Sequence, residues 1–322
     1  MSKYIGLDVH KNKCHAIIMS EDGEIQKQEE FKNDTLGLEL FFDGIDDAQI
    51  AMEATYSWQP TYQWLEEKGY DVKLAHPKKT RIIGEAKIKT DCRDSEALAH
   101  LLPESYVPPE EIRKLRQKLY HRTYLVRERT KFKNKIHAEL AKQGIEFDES
   151  PWTKKGKQKL NELKIDEIND YLAMIKALNE RINRLSRELK QEARESEEAN
   201  LLITIPGVGY FSALSILAEI GNIDRFSNPE KLCSYAGIIP STRQSGHITR
   251  RGSITKEGRR CLRWVLVECI WSHLTHTSGT RLTRFFRRIA KRRGKKVAVV
   301  ATARKLLVAV YWMLKRGEEY HP

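Results

Sequence analysis

The stretch YIGLDVHKNKCHAIIM, residues 4–19, determines the fold of the N-terminal third of the chain. Two runs of apolar and β-branched residues, 4–9 and 13–19, flank a short polar turn, and a third run, 24–31, follows the turn at Asp22-Gly23. Short strand-like runs joined by turns that contain Asn or Asp-Gly predict an antiparallel meander of three strands.

The segments after the meander alternate between helical and strand patterns. Apolar spacing and Gly or Pro stops predict helices over 33–42, 58–68 and 90–102, and strands over 48–52 and 70–75. The resulting order, βββ-α-β-α-β-α, predicts an α/β layer.

Four acidic residues occupy informative places in this order. Asp8 lies among apolar residues in the first strand, Glu53 ends the fourth strand, and Asp91 and Asp94 stand at i and i+3 of the last helix. Clustered carboxylates repel one another unless a divalent cation lies between them, and oxygen-only ligands suit Mg²⁺ or Mn²⁺. The pattern predicts a metal site for phosphoryl transfer. The alternative is that Asp91 and Asp94 are ordinary acids of a helix N-terminus and that Glu53 is a solvated acid at a strand end.

The charge of the chain is unevenly distributed. Its 322 residues, enough for two domains, have a net charge of +13. Residues 1–100 have a net charge of −6, residues 101–200 of +4, and residues 201–322 of +15. Such a basic segment indicates a polyanionic partner, and we favour nucleic acid over an anionic membrane surface because the segment is punctuated by Gly and Thr.

The length of the apolar runs and the spacing of the cysteines indicate the cellular compartment. No stretch approaches the roughly 18 consecutive apolar residues of a membrane span, so we expect no membrane association. The five cysteines are scattered without a C-x-x-C pair, which favours neither a disulfide framework nor a zinc site. We expect a cytoplasmic protein with reduced thiols.

The middle of the chain has the pattern of a helical arm. Residues 110–143 lack Gly and Pro, residues 144–156 have the composition of a loop, and apolar residues repeat at threes and fours from Ile168 to Leu189. The repeat predicts a coiled coil that joins protomers or, as an open alternative, a helix that packs within the chain against 110–143.

The basic third contains candidate phosphate contacts. The turn Pro206-Gly207-Val208-Gly209 before an apolar helix over 211–220 resembles a helix-hairpin-helix element. A flexible Gly- and Arg-rich segment over 237–258 follows, before a helix over 259–271, and it contains Ser241, Ser245 and Ser253. A serine there is either a nucleophile or, by the more common alternative, a phosphate hydrogen-bond donor or helix cap. The predicted nucleic-acid contacts are Gly207, Gly209, Arg243, Arg250, Arg251, Lys256, Arg259 and Arg260.

An ordered set of short motifs resembles one family over essentially the full chain. The motifs are YIGLDVHK at 4–11, MEAT at 52–55, KTDCRDSEALA at 89–99, IPGVG at 205–209, YAGIIP at 235–240, QSG at 244–246 and RKL at 304–306. Together they resemble the transposases of the IS110 insertion-sequence family and the related Piv/MooV DNA invertases, recombinases guided by a bridge RNA. Ser95 departs from the Ala that the family commonly has after the last Asp of the third motif, here Asp94.

The resemblance implies a fold and a set of functional residues. It implies a RuvC-like, ribonuclease-H-type domain over 1–105 whose Asp8, Glu53, Asp91 and Asp94 bind Mg²⁺, a coiled-coil arm over 106–199, and a mainly α transposase domain over 200–322. It also implies that Ser245, rather than Ser241 or Ser253, is the nucleophile. The implied partners are donor DNA, target DNA, the guide RNA and further copies of the chain, as dimers that pair into tetramers.

Two other functions stay open at this point. One is a RuvC-like junction nuclease that uses the metal site alone, with Ser245 as a phosphate contact. The other is a nucleic-acid-binding protein without catalytic activity.

Overall fold

The computed structural model describes residues 3–20, 24–53, 57–75, 104–147, 150–245 and 248–321. The chain divides into two compact units, Met1–Val107 and Pro108–Pro322, each with its own apolar core. The boundary predicted between an arm and a basic domain, at 199/200, falls within the second unit.

The first unit is built on one mixed six-stranded sheet. Its elements are β1 (Lys3–Val9), β2 (Lys13–Met19), β3 (Ile25–Lys32), α1 (Thr35–Phe42), β4 (Ala48–Glu53), α2 (Trp58–Glu67), β5 (Asp71–Ala75) and β6 (Glu104–Ser105). The strand order is β3-β2-β1-β4-β5-β6; β1, β4 and β5 are parallel, and β2, β3 and β6 run antiparallel to their neighbours. This confirms the predicted meander and the predicted order through the fifth strand, whereas the helix predicted over 90–102 lies outside the described residues.

The two central strands of this sheet are almost fully buried. Ile5 and Leu7 of β1 and Ile50 and Met52 of β4 have no exposed surface, and Leu65 of α2 packs in the same core. Parallel strands covered in this way have near-continuous apolar sequences, so the pattern of residues 4–9 follows from their central place.

The arm is an antiparallel pair of long helices within one chain. It comprises α3 (Glu110–Lys142), α4 (Lys154–Glu162) and α5 (Asp166–Glu195). Arg122 Nε donates to Ser186 Oγ at 2.9 Å, and Arg129 Nη1 donates to Asn179 Oδ1 at 2.9 Å, so residue numbers fall on α5 as they rise on α3.

The repeat on α5 is buried inside this pair. Ile168, Ile175, Ile182 and Leu189 are each at most 4% exposed, which is the packing expected of the intramolecular alternative. A role of the arm in joining protomers stays a prediction. The loop predicted over 144–156 ends early, because Thr153 Oγ1 accepts a hydrogen bond from Gly156 N and so caps α4.

The basic segment forms a mainly helical body that shares its core with the base of the arm. Leu119 of α3 and Leu189 of α5 belong to the same buried cluster as the helices that follow. Its elements are α6 (Glu197–Ile203), α7 (Tyr210–Ile220), a 3₁₀ turn (Ile223–Arg225), α8 (Pro229–Tyr235), β7 (Pro240–Ser245), β8 (Ile248–Ile254), α9 (Arg260–His276), α10 (Arg281–Arg293) and α11 (Lys295–Arg316).

The segment 237–258 differs from the prediction. It was expected to be flexible, but β7 and β8 pair as an antiparallel hairpin with Pro240 opposite Ile254 and Ser245 opposite Ile248. β-Branched residues on both sides of the central turn, Thr242 on one strand and Ile248 and Thr249 on the other, favour extended backbone. The prediction of a flexible segment, which was based on Gly and Arg content, was therefore wrong for the two paired strands.

One described helix, α11, is long and apolar enough to cross a membrane by length and composition. Half of its most apolar stretch is buried inside the protein, where Leu306, Leu307 and Val310 pack in the core of the second unit. Among the described residues α11 is thus the central helix of a folded core.

Candidate functional site

Asp8 and Glu53 lie side by side at the carboxyl ends of two neighbouring strands. β1 and β4 are parallel, and Leu7 is directly opposite Met52, so the next residues of the two strands are Asp8 and Glu53. Residues at matching positions of a parallel pair share a face of the sheet. Asp8 is only 5% exposed, although it is an acid. The ladder therefore brings together two of the four predicted metal ligands.

Two histidines that the sequence analysis did not select lie next to Asp8. His10 Nε2 is 3.2 Å from Asp8 Oδ2, and the antiparallel register places His15 of β2 directly opposite Asp8. His15 is 8% exposed. The sequence signal for His15 was its place in an apolar strand opposite an acid, which becomes visible only once the register is known.

Burial keeps the thiol of Cys14, on β2 beside Asp8, protonated at neutral pH. Burial, and secondarily the charge of Asp8, raise the pKa of Cys14 to about 12. A protonated thiol is a poor metal ligand and a poor nucleophile. The potential metal-binding groups at this edge of β1 and β4 are therefore the carboxylates of Asp8 and Glu53 and the neighbouring imidazoles, and hard cations such as Mg²⁺ prefer the carboxylates.

Asp91 and Asp94 lie outside the described residues. Within the described part of the chain, no group of three or more His, Cys, Asp or Glu side chains is placed to hold a metal ion. The four-carboxylate cluster therefore stays a prediction, of which the structure describes one half.

Ser245 is the last residue of β7, at the tip of the β7–β8 hairpin. The same ladder places Arg243 directly opposite Arg250 and Thr242 opposite Arg251. Like charges at opposed positions of a ladder are unfavourable without an anion to neutralise them. The register thus places the backbones of Arg243 and Arg250 two positions from the Ser245–Ile248 pair, and that of Arg251 one position farther.

The two glycines of the predicted hairpin element differ in their surroundings. Gly207 has a φ of +91°, and a Cβ there would lie 2.4 Å from His273 N of α9, so internal packing already requires glycine. His273 Nδ1 is also 2.6 Å from Pro206 O, which fixes the turn against α9. Gly209, by contrast, is the N-cap of α7, with nothing within 4 Å of its Cβ position. Of the two, Gly209 has room for a ligand.

The remaining predicted contacts follow the hairpin into α9. Lys256 and Arg260 are exposed, whereas Arg259 is part-buried and its Nε donates to Glu219 Oε2 at 2.6 Å. Glu219 is 1% exposed and belongs to an otherwise apolar helix, α7. Arg259 therefore pairs with Glu219 inside the protein, in addition to its predicted contact with a nucleic-acid phosphate.

The sequence analysis missed a second basic surface, on α10. This helix contains seven Arg or Lys residues and no acid in its 13 residues. All seven are exposed, while Leu282 and Phe286 are buried on the opposite side. The signal was present in the sequence as a strongly amphipathic pattern with one wholly basic face. The cations are Arg281, Arg284, Arg287, Arg288, Lys291, Arg292 and Arg293.

Two family models match separate parts of the chain. The model of the DEDD domain of IS110 transposases matches residues 5–143, which include Asp8, Glu53 and the first helix of the arm. The model described as the transposase IS116/IS110/IS902 family matches residues 199–286, which include the β7–β8 hairpin and α9.

Relatives that align over nearly the whole chain are also named as transposases or as a gene-inverting protein. The transposase for insertion sequence element IS1328 of Yersinia enterocolitica is 26% identical over 96% of this chain and 96% of its own length. The transposase for insertion sequence element IS1533 of Leptospira borgpetersenii is 26% identical over 94% and 92%. The pilin gene-inverting protein of Moraxella bovis is 25% identical over 99% and 98%.

These matches agree with the resemblance found in the motifs and with the sheet of the first unit, whose family model indicates a ribonuclease-H-like fold. Both transposase models match in the expected order, and the full-length relatives align over nearly the whole chain. The protein belongs to the IS110/IS116/IS902 family of transposases, enzymes that cut and rejoin DNA.

Proposed function

We propose that this transposase cuts and rejoins DNA with Ser245 as the nucleophile and with Mg²⁺ held by Asp8, Glu53, Asp91 and Asp94. The main support is the pairing of β1 with β4, which aligns Asp8 with Glu53 inside the segment that matches the DEDD model. Burial of a charged carboxylate in an apolar sheet is costly unless the carboxylate is paired or binds a cation, and Asp8 is 5% exposed.

The residues present suit a hard divalent cation. Two carboxylates at adjacent strand ends repel each other, and a cation between them removes the repulsion. Mn²⁺ accepts the same oxygen ligands. When bound, the metal would stabilise charge on the phosphate and on the leaving oxygen.

The proposed reaction of Ser245 exchanges one phosphate ester bond for another. The Ser245 hydroxyl loses its proton as its oxygen bonds to a DNA phosphorus, and one DNA ester bond breaks to leave a free hydroxyl that gains a proton. Attack by a DNA hydroxyl on the phosphoserine reverses the step and rejoins DNA without net loss of an ester bond. Arginines of the hairpin would hold the phosphate and offset its developing charge.

The exposed cations would supply the remaining backbone contacts. Lys256, Arg260 and the basic face of α10 suit phosphates, with Arg259 as a contact that is also tied to Glu219. Such contacts position DNA but do not select its sequence. We therefore propose that selection is delegated to a bridge RNA that pairs with donor and target DNA, and that the chain acts as dimers that pair into tetramers.

Sequencing the RNA that co-purifies with the protein tests the guide. We expect one discrete structured RNA, encoded beside the reading frame. Random fragments of cellular RNA would contradict guidance by RNA while leaving the proposed cutting chemistry intact.

Strand-cleavage assays on serine variants test the nucleophile. Ser245→Ala is expected to abolish both cleavage and rejoining, whereas Ser253→Ala, which alters an exposed serine on the partner strand, is expected to keep both. Cleavage that survives Ser245→Ala would favour the junction nuclease. Cleavage that is absent from the wild type would favour a non-catalytic binding protein.

A further inference from the structure

A cleft in the second unit is lined by cations and exposed aromatic rings. It has a volume of about 430 Å³ and lies where α3, the end of α7 and the start of α9 meet. Tyr120, Tyr124 and Arg127 line it from α3, and Arg260 and Trp264 line it from α9. We name it the Tyr124–Trp264 cleft.

Helical spacing explains why these side chains converge. Tyr120, Tyr124 and Arg127 stand at i, i+4 and i+7 of α3 and so share one face, and Arg260 and Trp264 stand at i and i+4 of α9. Both faces line the same cleft, which neither helix pattern shows by itself.

The floor of the cleft is a hydrogen-bonded network centred on the buried carboxylate of Glu219. The carboxylate of Glu219, 1% exposed, accepts from Arg259 Nε at 2.6 Å and from the Tyr120 hydroxyl, and Arg259 Nη2 donates to Tyr120 Oη at 3.2 Å. Burial and the nearby carboxylate of Glu219 raise the pKa of Tyr120, so its phenol stays a donor. The backbone of Glu219 is held as well, since Arg116 Nη2 donates to its carbonyl. The network ties α3 to α7 and α9 and fixes the walls.

The charge of the cleft is not balanced by this network. Glu219 neutralises Arg259, but within the described part of the chain no ion pair engages Arg127 or Arg260, both of which are exposed. Arginine guanidinium groups bind phosphate through paired N–H donors. The two arginines therefore suit one or two phosphates of a polyanion.

The rings are unusually open for their size. Tyr124 is 56% exposed and Trp264 is 37% exposed. Exposed rings beside cations are the pattern of surfaces on which unpaired bases stack, because every base has a π-face. Bases within a duplex are already stacked and offer no free face.

We propose that the Tyr124–Trp264 cleft binds an unpaired nucleotide of single-stranded DNA or RNA, with its base against Tyr124 or Trp264 and its phosphates on Arg127 and Arg260. The inference goes beyond the serine and metal chemistry, which needs no such site. It gives this transposase a place to hold a strand that is out of its duplex.

Fluorescence anisotropy with the full-length protein tests the proposal. The probes are a 12-nucleotide DNA strand, the RNA of the same sequence and the matched DNA duplex, all in EDTA so that binding is independent of the proposed metal chemistry. Tyr124→Ala and Trp264→Ala are each expected to weaken single-strand binding about tenfold and to leave duplex binding unchanged. Tyr124→Phe and Trp264→Phe keep a ring and are expected to restore binding. The single strand, DNA or RNA, whose affinity for the protein falls more in the two alanine variants is assigned as the occupant of the cleft.

Salt titration separates the arginines from the rings. The double variant Arg127→Ala/Arg260→Ala is expected to reduce the slope of log affinity against log salt concentration by about 1.4 for single strands, because two phosphate contacts are lost. The variants Tyr124→Ala and Trp264→Ala are expected to leave this slope unchanged. Matched controls outside the cleft are Trp312→Ala, with a ring 44% exposed on α11, and Arg184→Ala with Arg187→Ala on α5. The controls are expected to keep single-strand affinity within about twofold.

Three results would overturn the proposal. The first is wild-type single-strand affinity in both ring variants with unchanged circular dichroism. The second is an equal loss for the duplex, which would make the cleft part of a general basic surface. The third is a change of oligomeric state in light scattering without loss of single-strand affinity, which would make the cleft a protein interface.

Discussion

Asp8 shows how a single residue can indicate a site by its place in the sequence. An acid within a run of Ile, Leu and Val is unfavourable unless something compensates its charge, and β1 places it beside Glu53. The companion ligands Asp91 and Asp94 were predicted from helical spacing and from the family resemblance. His10 and His15 were missed because their closeness to Asp8 depends on strand register and on the turn between the strands.

Mg²⁺ is expected to stabilise the folded protein through Asp8. At saturating Mg²⁺ the melting temperature should rise by about 5 °C, because the ion binds the native state alone. Asp8→Asn should abolish the rise, since the neutral amide is a much weaker ligand for Mg²⁺ than the carboxylate. Differential scanning fluorimetry measures both. Asp46→Asn, an exposed acid of the same unit, is the control that keeps the rise. A full Mg²⁺ shift in Asp8→Asn would contradict the metal site.

Gly207 and Gly209 form a matched pair for a stability measurement. Gly207→Ala is expected to lower the free energy of unfolding by about 2 kcal/mol or more, because its Cβ would meet the backbone of His273 at a φ of +91°. Gly209→Ala should cost less than about 1 kcal/mol, since its backbone is extended and the space is open. Urea unfolding followed by circular dichroism measures the difference. Equal costs would show that the turn does not pack on α9 as described.

At the scale of elements, local patterns predicted most helices and strands but not their partners. The strands of the meander and the long helices follow from alternation and from spacing, which depend on near neighbours. The burial of the repeat on α5 against α3, the contact of Glu219 with residues about 100 positions away, and the β7–β8 pairing depend on tertiary contacts. The Tyr124–Trp264 cleft belongs to this second group.

The basic face of α10 is expected to bind DNA phosphates. Arg284→Gln with Arg287→Gln should weaken duplex binding uniformly across sequences and reduce the salt slope by about 1.8, because two phosphate contacts are lost. Filter binding over a range of salt concentrations measures this. The control pair is Arg184→Gln with Arg187→Gln on the exposed side of α5, which removes the same charge. If the control pair changed the salt slope equally, the effect of the α10 variants would be explained by the loss of net charge and not by phosphate contacts on α10.

At the scale of the whole molecule, the two ends of the chain differ in net charge. Residues 1–100 have a net charge of −6 and hold the predicted metal ligands, and residues 201–322 have a net charge of +15 and hold the predicted nucleophile. The sequence alone indicated this division, because charge and motif order need no tertiary contact. The proposed assembly and the proposed choice of target, by contrast, follow from no single segment of the sequence.

The most direct test of the account is to identify the residue that becomes linked to DNA. The full-length protein with its co-purified RNA and the DNA ends of its own element is denatured during reaction, digested and analysed by mass spectrometry. We expect a DNA-linked peptide modified at Ser245, which is retained in Ser253→Ala and absent from Ser245→Ala and Asp8→Asn. Cut DNA without any linked peptide, or a link at another residue, would contradict it.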